Sequence, residues 1–99
     1  MLIKAFAMDE RRREKDAYDV YFVVSQYPGG PQQLGTQIAA MLPNRLVEDA
    51  VRVLQKKFAT LNSIGSVDVA VILEQQGNDA GLSRQMAFQY LRAMLQVIR

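Results

Sequence analysis

VDVAVIL, residues 67 to 73, is the stretch whose reading decides the fold. Its β-branched residues suit a strand, and a strand here would demand a sheet. Ser66 just before it, however, is a good helix N-cap, and no second segment in the chain reads as a strand able to pair with it. We therefore read 67 to 73 as helix. The flanks agree, because TLNSIGS at 60 to 66 and QQGNDAG at 75 to 81 are loop and turn chemistry rather than strand.

Outward from there the periodicity is helical. Residues 45 to 60 form an amphipathic pattern with Leu46, Val47, Ala50, Val51, Leu54 and Phe58 on one face and Glu48, Asp49, Arg52 and Lys56 on the other. The acids lie early and the lysines late, as the helix dipole favours. Residues 82 to 98 repeat the pattern, with Leu82, Met86, Tyr90 or Leu91, Met94 and Ile98 expected inward. Upstream, Leu34, Ile38, Met41 and Leu42 recur at spacings of three and four, between PGGP at 28 to 31 and Pro43-Asn44. PGGP is the strongest breaker in the chain. It is a turn and not a phosphate loop, since no Gly-rich span ending in Lys-Ser/Thr follows. Residues 14 to 27 place Ala17, Tyr18, Tyr21 and Val24 on one stripe, and Val20, Phe22 and Val23 make the second half apolar nearly all round, as in a buried central helix. Leu2, Ile3, Phe6 and Ala7 suggest a further short helix over 2 to 10. The expectation is an all-α single domain over 1 to 99, a compact bundle of five or six helices.

Composition removes many functions. The 99 residues include no Cys and no His, which rules out disulfides, thiolate or imidazole zinc sites and His-based acid-base chemistry. Twelve basic against ten acidic residues leave +2, too small and too mixed in sign to imply nucleic acid or membrane, and the nucleic-acid question stays open. The first residues carry their apolar positions before their charges, the reverse of a secretory signal, and no apolar run nears the roughly 20 residues of a membrane span. A cytoplasmic location without membrane attachment is expected. Because the sequence starts directly on apolar helical positions, it reads as a piece cut from a longer protein.

The first quarter, LIKAFAMDERRREKDAYDVYFVV at 2 to 24, repays reading as a unit. An apolar helix carrying Lys4, a basic linker, and then Lys-Asp-Ala-Tyr-Asp before an apolar run and a PGG turn resembles the last motif of AbiEii-like nucleotidyltransferases, the toxin side of abortive-infection toxin–antitoxin systems. The resemblance covers residues 2 to about 30. It implies that this chain is the helical C-terminal domain of a larger enzyme whose N-terminal sheet supplies a Gly-Ser turn and the metal-binding carboxylates. Lys4 then matches the motif lysine, expected to neutralise phosphate, and Asp16 the motif aspartate, expected to order that lysine or the metal-bound site. Lys15 holds the basic position before it and joins Lys4 in nucleotide binding. Tyr18 and Asp19 are expected to be structural. Mg²⁺ and an NTP belong to the complete enzyme, with no cofactor or metal ligand expected of this chain alone, which should be inactive by itself. The implied partners are the N-terminal domain, an antitoxin, and a second copy of the chain through an exposed apolar patch; Met41, Met86 and Met94, on presumed inner faces, are either pliable core filler or part of a surface that packed on the missing half.

Without the resemblance, each residue has a plainer reading. Acids at a helix start are favoured by the dipole, Lys4 is a solvated charge, Arg11 to Arg13 with their flanking acids form a solvated linker, and Tyr18, Tyr21, Phe22 and Tyr27 are core. The competing function is a free-standing helical interaction module with no enzymatic activity.

Overall fold

The computed structural model describes residues 14–98. Five helices follow one another: α1 Glu14–Gln26, α2 Pro31–Ala39, α3 Arg45–Lys57, α4 Ile64–Gln75 and α5 Ala80–Ile98, with no strand among the described residues. The helix expected over 2 to 10, with Lys4 and the arginine run, lies outside them.

The segment VDVAVIL is helix, inside α4. The buried positions of α4, Gly65, Ser66, Asp68, Val69, Ala70 and Leu73, group at spacings of three and four as on one broad helix face rather than alternating as in a strand. Each buried Val or Leu side chain contributes roughly 1.5–3 kcal/mol, which outweighs the few tenths by which β-branching disfavours a helix. The expected cap is displaced by three residues. Ser63 is the N-cap, in extended conformation, and its Oγ accepts from the Thr60 amide at 2.9 Å. Ser66 is instead fully buried in the first turn, donating its hydroxyl to the Thr60 carbonyl at 3.1 Å.

α5 is the common partner. It packs against α2 and α4 along most of its length and touches α1 and α3 as well. Its inward row is Ser83, Ala87, Leu91, Met94, Leu95 and Ile98. Leu82, expected inward, is 56% exposed because it sits one position off that row. The same one-position effect exposes Leu46 on α3, whose buried row is Val47, Ala50, Val51 and Leu54.

The apolar second half of α1 is likewise buried on one side only. Ala17, Val20, Tyr21 and Val24 face α4 and α5, while Phe22 and Val23 are exposed, so α1 is a packed surface helix and not a central one. Met41 is also exposed, since α2 stops at Ala39 before the helical row reaches it.

The turns follow from their residues. Gly29 and Gly30 take φ of +89° and +91°, a region side chains resist, and Pro31 then opens α2 with its preset φ. Asn44 caps α3 by accepting from the Leu46 and Val47 amides at 2.9 and 3.2 Å. Asn44→Ala is expected to lower stability by about 1 kcal/mol, read as a shift in urea midpoint at unchanged slope.

Two glycines are set by close approach. A Cβ on Gly35 would sit 2.5 Å from the Met94 carbonyl oxygen, so α2 and α5 meet backbone to backbone there. A Cβ on Gly65 would lie 2.6 Å from the Lys57 carbonyl oxygen and 2.8 Å from the Phe58 ring, which lets the start of α4 tuck under the end of α3.

Candidate functional site

The motif residues fall in the first two turns of α1, and the structure separates them. Asp16 is 2% exposed, on the same helix face as Ala17, Val20 and Val24, and its carboxylate is engaged rather than free. Burying an ionised carboxylate is expensive unless partners hold it, so Asp16 is not the solvated helix-start acid that its position alone suggests. Asp19, three residues on, is partly exposed and pairs with Lys15 at 3.6 Å. That Lys15 side chain is 78% exposed, and an ion pair so open to water contributes little. Lys15 and Asp16 therefore diverge, one toward solvent and one toward the interior. Lys4 lies outside the described residues.

Of the aromatics expected in the core, Tyr21 is buried, Tyr18 and Tyr27 are partly buried against it, and Phe22 is 51% exposed. Tyr18 accepts at its hydroxyl from Gln76 Nε2 at 3.4 Å, which ties α1 to the end of α4. Tyr21 meets Tyr90 of α5 edge to face, centroids 5.9 Å apart. Burial and the neighbouring phenols of Tyr90 and Tyr18 push the Tyr21 hydroxyl above its usual 10.0. A raised phenol keeps its proton longer in the folded state, so this contribution is present below pH 10 and lost as pH climbs through the folded value.

Two further buried polar groups went unnoticed in the sequence. Asp68, 3% exposed on α4, is a second interior carboxylate and is also engaged. An acid set among Val67, Val69 and Val71 was the available signal. Ser83 is fully buried on α5, and its Oγ has no hydrogen-bond partner among the described residues. No group of three or more acidic side chains converges as a metal site among the described residues.

A separate concavity opens between the end of α3 and α5. It is a cleft of about 370 Å³ lined by Gln55, Phe58, Ala59, Phe88, Arg92, Leu95 and Gln96. Phe58 and Leu95 are buried and make its floor, while Gln55, Arg92 and Gln96 are exposed. The Arg92 guanidinium lies over the Phe88 ring, 5.7 Å from its centroid.

No family model, curated protein or solved structure matches this chain. Among the described residues no helix is long and apolar enough to cross a membrane.

Proposed function

We propose that the chain serves as the helical domain of a nucleotidyltransferase, moving a nucleotide from an NTP to an RNA, protein or small-molecule acceptor, with the Mg²⁺-binding carboxylates on a separate sheet-bearing half. The observation that carries the reading is the burial of Asp16. Of the two acids in the Lys-Asp-Ala-Tyr-Asp motif, the one matching the family's motif aspartate is interior, while Asp19 is a partly exposed ion-pair partner. Nucleotidyl transfer asks little covalent work of side chains and much positioning of charge, which a fixed carboxylate and the lysine it orders can provide. Phe22, Leu46 and Leu82, exposed on three different helices, offer apolar surface for the other half, an antitoxin or a second copy to cover.

The test is Asp16→Asn in the chain joined to its catalytic half, with transfer from a labelled NTP as readout. A roughly tenfold to hundredfold fall in kcat per folded molecule, measured well below the melting temperature of the variant, would support the site role. Unchanged transfer would refute it. Asp19→Asn is the control, expected to alter neither quantity beyond about 0.5 kcal/mol. Absence of any nucleotide transfer by the joined protein, with Asp16→Asn affecting stability alone, would favour the interaction-module reading.

A further inference from the structure

We propose that the cleft between the end of α3 and α5 captures the C-terminal carboxylate of a partner polypeptide whose last residue is apolar. The inference is independent of the nucleotidyltransferase reading, since none of the lining residues is on α1.

Charge comes first. α5 carries Arg84 and Arg92 and no acid, and α3 from Val51 onward carries Arg52, Lys56 and Lys57 and no acid. Arg52 is paired with Asp49 at 3.4 Å outside the cleft, and the cleft lining itself holds Arg92 as its one cation and no acid. Arg92 makes no ion pair among the described residues, and its exposed guanidinium lies over the Phe88 ring at 5.7 Å from the centroid, a cation–π contact that leaves its N–H groups available. A planar fork held in this way suits a carboxylate, which it can bind through two parallel hydrogen bonds. A phosphate dianion would want a second lining cation, and the lining has only one.

The remaining walls match the rest of a chain end. Gln55 and Gln96 each offer an amide donor and acceptor, the complement of the last peptide unit. Phe88 and Ala59, above the buried Phe58 and Leu95, form the apolar part of the lining against which the terminal side chain would rest. At about 370 Å³ the cleft lies at the small end of the roughly 300–1,000 Å³ range of ligand sites, enough for one or two residues and too short for a long segment. The carbonyls at the end of α3 place some negative potential nearby, and Lys56 and Lys57 in that last turn offset it.

The probes are N-acetyl-Gly-Leu as free acid, the same peptide as C-terminal amide, N-acetyl-glycine, and uridine monophosphate, each titrated into isotope-labelled protein and followed by amide chemical shifts. The free acid should shift the amides of Phe58, Phe88 and Arg92. The amidated peptide and N-acetyl-glycine should each bind about tenfold or more weakly, the loss general for a hydrogen bond to a charged group or for an unfilled apolar site. Arg92→Gln, a change at an exposed side chain, should reduce the free acid to the level of the amide without altering the melting temperature. Equal binding of acid and amide, shifts confined to other residues, no binding at millimolar peptide, or an undiminished Arg92→Gln would each overturn the proposal. Tighter binding of uridine monophosphate at the same residues would overturn it in favour of phosphate chemistry.

Discussion

Gly35→Ala is expected to lower the melting temperature by about 10 °C, although alanine is the better helix former by roughly 1 kcal/mol. The added methyl would lie 2.5 Å from the Met94 carbonyl oxygen and 2.9 Å from Val97 Cβ. A flexible side-chain tip could move aside; a helix backbone cannot without carrying α5 with it. Overpacking of this kind costs about 1–3 kcal/mol, and a backbone obstacle belongs at the upper end, so roughly 2 kcal/mol remains after the gain in helix propensity. Thermal unfolding by circular dichroism measures it. Gly81→Ala is the internal contrast, since its methyl would meet only Asp79 Oδ1 at 3.4 Å, and it should be neutral or slightly stabilising. If Gly35→Ala were stabilising too, α2 and α5 would have room to slide and the close approach would not be a constraint.

Leu91→Ala is expected to cost about 3–4 kcal/mol, a large part of the roughly 5–15 kcal/mol that holds a domain of this kind together. Leu91 is fully buried on α5, in the same inward row as Ala87 and Met94, and the core it belongs to draws on every helix. The urea midpoint should fall with little change in slope, whereas Leu46→Ala, at a residue 69% exposed, should move it by less than about 0.5 kcal/mol. A comparable loss at both positions would mean that burial on α5 is not the source of the effect.

Helix identity was legible because it rests on local periodicity, and α3 is the clearest case. What periodicity could not resolve was the edge of each buried row. Leu46 and Leu82 lie one position, about 100° of helix rotation, off the rows that pack, and Phe22 and Val23 look buried until the neighbours of α1 are known. The N-cap of α4 was misplaced because Ser66 bonds back to Thr60 across the preceding loop, and a hydroxyl six residues from its acceptor leaves no spacing rule to read. Gly35 and Gly65 were invisible for the same reason. Each is a weak helix former locally and a necessity only once a second backbone arrives. At the motif, the helix dipole accounts for acids at the start of α1 but does not tell that Asp16 is interior and Asp19 paired with Lys15. The α3–α5 cleft unites residues some 30 positions apart, which is beyond any local pattern.

The share of the core that α5 covers also bears on when the fold can form, since it follows the four other described helices in the chain. During synthesis at about 5–20 residues per second, α1 to α4 exist for roughly one to four seconds before the 19 residues of α5 have been added. Over that interval Ile38 and Val69 lack the helix that covers much of their side of the core, and α1 can dock on α4 but cannot close the bundle. Closure of the bundle therefore waits on α5, and a chain cut short before residue 80 would be open, with its apolar rows uncovered, a substrate for chaperones and proteases rather than a smaller version of the protein.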